Sequence, residues 1–186
     1  LNETKTKKQQ REIDMKRLVL LLLTLTLVFS FAACGKKPAG NDPAEGGKKT
    51  ENLEGSLEDI LSKIYENADI EGDFERFVNE GLMVNEINSE NCAYHLGKEG
   101  IEFKEAIASV PMISSAYELS LVRVKEGADI EKIKKEIREN LNPMKWICMG
   151  VDEENIVVDN IGDVIIVIMS NEYSKELHNA FLGLKD

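Results

Sequence analysis

The chain has 186 residues, with 23 basic and 34 acidic side chains and a formal charge of −11. Hydrophobic residues at 42% and charged residues at 31% are globular proportions, which exclude wholesale disorder and a multi-spanning membrane protein. The acidic balance argues against nucleic acid, whose phosphates need clustered Lys and Arg, and three Cys with two His are too few for a dense disulfide or zinc scaffold.

Residues 1–14 carry no apolar periodicity and read as an upstream extension, with Met15 as the expected initiator. Lys16 and Arg17 then precede an apolar run, Leu18 to Phe31, followed by Ala32, Ala33 and Cys34. Charged, apolar and small residues in that order make residues 15–33 a secretory signal. The run is shorter than the roughly 20 apolar residues a spanning helix needs. Phe31-Ala32-Ala33-Cys34 resembles a bacterial lipobox. In such signals the cysteine takes a diacylglycerol and becomes the mature N-terminus, so Cys34 is the expected lipidation site and the membrane an expected partner. An uncleaved single anchor and an ordinary signal peptide are the alternatives. Acyl chains contribute about 0.8 kcal/mol per buried methylene, so two or more anchor stably. Removing residues 1–33, with six basic and three acidic side chains, takes the formal charge from −11 to −14. An anionic surface repels such a domain, so the lipid must hold it there.

Residues 34–55 form the lipidated Cys and a Gly- and Pro-containing tether with one large apolar residue, Leu53. Such a segment buries too little to offset its ordering entropy. A single domain is expected over 56–186. Ser56 and Asp59 form a capping box before a helix carrying Leu57, Ile60, Leu61, Ile64 and Ala68 on one face. Phe74, Phe77 and Val78 suggest a short helix or turn before Gly81. Tyr94-His95-Leu96 reads as a short strand, and Phe103, Ile107 and Val110 have helical spacing up to Pro111. Ala116 to Lys125 reads as a strand, and Asp129 caps a helix with the stripe Ile130, Ile133, Ile137, Leu141. Strands are expected at 146–151, 156–158 and 164–169, with turns at 152–155 and 159–162. The last strand is apolar throughout and therefore covered on both faces. Tyr173, Leu177, Ala180, Phe181 and Leu184 mark a final amphipathic helix. The expected fold is α+β: a mainly antiparallel sheet of about four strands with packed helices.

Few residues carry recognisable chemistry. Cys92 and Cys148 can pair outside the membrane, closing a loop worth about 3–4 kcal/mol. Alternatively Cys148, placed mid-strand, is a small buried hydrophobe. His95 and His178 lack a second ligand at metal spacing and read as ordinary, partly exposed histidines. Asp152-Glu153-Glu154 lacks the alternating donors of a calcium loop and reads as a solvated turn. Ser114 and Ser115 sit outside any GxSxG or SxxK motif and read first as turn residues. Lys145 and Trp146, after Pro143, are either an aromatic contact edge or a core Trp set by a rigid turn. Ser114, Ser115, Lys145 and Trp146 are the candidate binding residues. No catalytic residue, metal or cofactor is assigned.

The runs Tyr94 to Gly97, Glu105 to Ser109, Gly127 to Glu131, Asn142 to Cys148 and Gly162 to Ser170 resemble a family of small lipoproteins from anaerobic Gram-positive bacteria, a domain of unknown function. The resemblance spans roughly residues 92–185 and implies a lipid-anchored surface protein. It implies no activity or cofactor. The expectation is a non-catalytic binding or interaction module outside the cytoplasmic membrane, with an envelope protein as partner. The alternative is an envelope-associated enzyme, such as a hydrolase, with an unrecognised site. A released pheromone-like peptide from Leu25 to Ala32 is a third reading, already explained by export.

Overall fold

A computed structural model describes residues 52–185. The upstream extension, the signal segment, Cys34 and most of the tether lie outside the described residues. Helix α1, Leu57–Asn67, starts as its capping box dictates. The Asp59 amide donates to Ser56 Oγ at 3.1 Å and the Ser56 amide to Asp59 Oδ2 at 3.2 Å. Leu57, Ile60, Leu61 and Ile64 are its buried face. A short helix α2, Phe74–Arg76, runs into a π-turn, Phe77–Gly81. Strand β1, Leu82–Glu86, follows directly.

Tyr94-His95-Leu96 is not a strand but part of helix α3, Cys92–Leu96. Asn88 and Asn91 build the turn that starts it: the Asn88 amide donates to Asn91 Oδ1 at 2.7 Å. Gly97, at φ +80°, ends it. The expected helix around Ile107 is strand β2, Glu105–Pro111. β2 is an interior strand whose small residues Ala106 and Ala108 lie under the helices. Buried on both faces, it lacks the polar alternation that marks a half-exposed strand.

Strand β3, Tyr117–Arg123, is buried along its whole length. Helix α4, Ile130–Asn140, is capped by Asp129, whose Oδ1 accepts from the Lys132 amide at 3.0 Å. The strand expected over 146–151 is a loop with a single bridge, Trp146 to Met149. Pro143 and Gly150 fold it back, with the Val151 amide donating to the Pro143 carbonyl at 2.9 Å. Cys148 has φ +58° there and is exposed, so it is neither mid-strand nor buried. Strand β4, Ile156–Ile161, continues through the expected turn at 159–162, and the hairpin closes at Gly162-Asp163. Strand β5, Val164–Ser170, is fully buried, and helix α5, Ser174–Leu182, ends the fold.

The result is an α+β domain around a five-stranded antiparallel sheet of order β1-β2-β3-β5-β4. One face packs on α1 and α5 through Leu119, Leu121, Ile166 and Ile168; the other packs on α3 and α4 through Val122, Ile165 and Val167. β5 thus lies inside the sheet with both faces covered. Among the described residues no helix is long and apolar enough to cross a membrane.

Arg123 closes one pole of the sheet. Its guanidinium donates to Glu105 Oε1 at 2.7 Å, to the Leu53 carbonyl at 2.9 Å and to the Gly55 carbonyl at 2.8 Å. Leu53 packs against the core. The domain therefore includes Leu53, three residues before the expected boundary.

Candidate functional site

The opposite pole carries the β2–β3 connection, residues 112–116. Tyr117 to Arg123 is one strand length, about 20 Å, so this pole is far from the entry of the tether. The adjacent β3 residue, Glu118, is buried on the face packed by α3 and α4. Its neighbours along that face are Ser120 and Val122, so a carboxylate stands among otherwise nonionic groups.

Three donors satisfy it. His95 Nδ1 lies 3.0 Å from Oε1, Ser120 Oγ donates to the same oxygen at 2.9 Å, and Lys145 Nζ donates to Oε2 at 2.6 Å. Lys145 Nζ also donates to the Tyr94 carbonyl at 3.2 Å. It lies 4.6 Å from the Tyr94 ring centre and 5.2 Å from that of Trp146, within cation–π range of both. Two local structures deliver these groups. The Asn-built turn and Gly97 place His95 on α3. Asn142 and Pro143 place Lys145, with the Met144 amide donating to Asn142 Oδ1 at 3.0 Å.

Burial pushes the Glu118 carboxyl up, but the His95 hydrogen bond and the Lys145 charge outweigh it and hold the group below the ordinary glutamate range. Burial pulls the Lys145 ammonium down, only partly offset by Glu118. An ionised Glu118 accepts at His95 Nδ1, which fixes the ring and turns Nε2 away from the carboxylate. Nε2 makes no hydrogen bond among the described residues.

His95 lines a cleft of about 330 Å³. Its walls include Tyr94 and Trp146 on one side, Ser114 and Ser115 on the β2–β3 connection, and Asn85 of β1. Met112, Ile113, Met144 and Ile147 are exposed apolar side chains on the same segments, Ile113 at 78% and Ile147 at 84%. A larger hollow of about 520 Å³ beside α1 is lined by Tyr65, Phe74 and exposed acids, without a buried charge.

The structure thus brings Ser114, Ser115 and Trp146 to one cleft, with Lys145 behind Trp146. Trp146 is half-buried: it packs on the core and lines the cleft at once. Neither serine hydroxyl makes a hydrogen bond among the described residues. Cys92 and Cys148 are free thiols. Cys92 is buried on α3, where burial pushes its thiol up, and Cys148 is exposed on the loop after Lys145. The partly exposed reading of His95 is corrected: it is 5% exposed and paired. His178 is partly exposed and bonded to Asp159 at 2.8 Å.

Sequence reasoning missed Glu118 and His95. The signal was present in Glu118 itself: a charged residue in a strand buried on both faces must have a partner. Comparisons with family models, with curated proteins and with solved structures find no match to this chain.

Proposed function

We propose that this protein is a lipid-anchored binding module of the cell envelope, held to the membrane through Cys34, whose contact face is the Tyr94–Trp146 cleft. The observation that carries this reading is the polarity of the domain. The tether enters at the Arg123 pole, and the apolar-rimmed cleft lies at the other end of β3. The chain that leads back to Cys34 thus joins the domain at the pole opposite the cleft. Aromatic walls, exposed apolar rim and a few fixed polar groups are the usual composition of a recognition site. The buried Glu118–Lys145 pair holds Tyr94 and Trp146 in place. The resemblance to small surface lipoproteins agrees with this reading.

Cross-linking in intact cells followed by pull-down through a C-terminal tag tests it. The full chain should retain one abundant envelope partner, and Trp146→Ala or Ile113→Glu should lose it. An anchored chain with no partner in any of these forms would contradict the reading.

One observation favours a hydrolase as a second reading. A carboxylate holds His95 at Nδ1 while the imidazole lines a cleft with two unbonded serine hydroxyls. A general base needs that arrangement. Ester hydrolysis abolished by His95→Gln and by one Ser→Ala change would move the assignment to an enzyme.

A further inference from the structure

The two edges of the sheet are unlike. At β4, Arg138 Nη2 donates to the Val158 carbonyl at 3.0 Å and Lys134 Nζ to Asn160 Oδ1 at 2.9 Å. Long cationic side chains of α4 therefore occupy that edge, a common way of refusing a further strand. Among the described residues β1 has no cationic side chain across it and one polar contact, at Glu86. The Ile87 amide bonds the Ala106 carbonyl at 2.8 Å and the Met112 amide bonds the Gly81 carbonyl at 2.8 Å. In an antiparallel ladder these bonds alternate. Met83 and Asn85 therefore face β2 with their backbone groups, while Leu82, Val84 and Glu86 turn theirs outward. Among the described residues only the Glu86 carbonyl has a partner there, Asn91 Nδ2 at 2.9 Å. Val84 is 49% exposed and Met83 45%.

We propose that β1 is a self-pairing edge, and that two copies of this chain join antiparallel through β1 about a two-fold axis at Val84. In that register Val84 faces the partner's Val84, and the two exchange a pair of backbone hydrogen bonds. Leu82 faces the partner's Glu86, whose amide donates to the Leu82 carbonyl without needing the carbonyl that Asn91 already uses. Within the strand no glutamate falls opposite a glutamate, since Glu86 meets Leu82. The same short segment is thus complementary to itself, which is what an isologous contact requires. Arg138 and Lys134 across β4 disfavour a β1-to-β4 filament, and a two-fold β1-to-β1 contact closes at two copies. Met83 of the second copy lies opposite Asn85, a lining residue of the cleft, so each copy supplies an outer wall to the other's cleft. That last consequence rests on the binding reading; the pairing does not.

The test uses the full chain in mild detergent, with Cys148→Ser removing the exposed loop thiol. Val84→Cys and Met83→Cys are added separately, and the Cys148→Ser chain without an added cysteine is the control. Opposed residues of a hydrogen-bonded pair lie about 5.5 Å apart at Cα, within disulfide reach. Two Met83 residues lie on a diagonal at about 7–8 Å, beyond comfortable reach. Mild oxidation should convert Val84→Cys to a species of twice the mass and leave Met83→Cys and the control unchanged. The unmodified chain should sediment as a dimer, and Val84→Lys, with unchanged circular dichroism, as a monomer. A monomeric unmodified chain, equal cross-linking of the two cysteine variants, or a dimer that Val84→Lys leaves intact would each overturn the proposal.

Discussion

The Lys145 ammonium meets the Glu118 carboxylate at 2.6 Å, with side chains only 4% and 1% exposed. This pair joins the loop after α4 to the centre of the sheet. Removing one partner leaves a buried charge, which costs about 3–5 kcal/mol. Lys145→Met and Glu118→Gln should each lower unfolding free energy by an amount of that order in denaturant titration. The double replacement Glu118→Gln/Lys145→Met should cost clearly less than the sum of the two. Additive losses would show that the pair is not coupled.

The same carboxylate sets an acid limit. Its folded pKa lies below the ordinary glutamate value of 4.5, so the folded state binds fewer protons than the unfolded one as pH falls. The stabilisation is present above about 4.5 and is lost as pH drops through the folded value. Stability measured against pH should fall less steeply below 4.5 in Glu118→Gln than in the parent chain. Parallel acid limbs in the two proteins would refute the assignment.

At the alkaline end the buried Tyr117 hydroxyl, 3.0 Å from that of Tyr65, is held well above the ordinary value of 10 by burial. A raised phenol pKa gives stability that is complete below about 10 and lost as pH rises towards the folded value. Tyr117→Phe should lessen the alkaline loss of stability while leaving the acid limb unchanged.

The sequence was most legible where local chemistry and tertiary packing agree. Ser56 and Asp129 cap α1 and α4, and the stripes at Ile60/Ile64 and Ile133/Ile137 have helical spacing. β5 announces its double burial by its apolar run. The failures fall where two signals compete. Ile107 and Val110 mimic helical spacing because β2 is buried on both faces. His95 sits in a helix too short for periodicity. β1 is short and half-exposed, with Met83 and Val84 offering no clean alternation. Ser114, Ser115 and Trp146 of the cleft, and Lys145 behind it, are legible locally because they flank turns. Glu118 and His95 lie 23 positions apart, a pairing only the fold brings about.

Gly97 shows how tightly α3 is held against α4. At φ +80° a side chain is strained, and an added Cβ would collide with the Asn140 backbone. Gly97→Ala should therefore lower stability by about 2 kcal/mol or more. It should also shift the His95 and Tyr94 ring resonances, since both side chains ride on α3. An unchanged melting temperature would contradict this packing.

Anchoring has its own readout. Metabolic labelling with an alkyne-bearing fatty acid should mark the full chain, and Cys34→Ala should abolish the label and release the protein from membranes. Retention of Cys34→Ala in the membrane fraction would instead support an uncleaved apolar anchor.

The most direct measurement places a photo-cross-linking amino acid at Ile113, on the cleft rim, and for comparison at Lys175, exposed on α5 across the sheet. Irradiation of intact cells should give one discrete adduct from Ile113, lost when Trp146→Ala is added, and none from Lys175. Equal labelling at both positions, or none at Ile113, would contradict the cleft as the binding face.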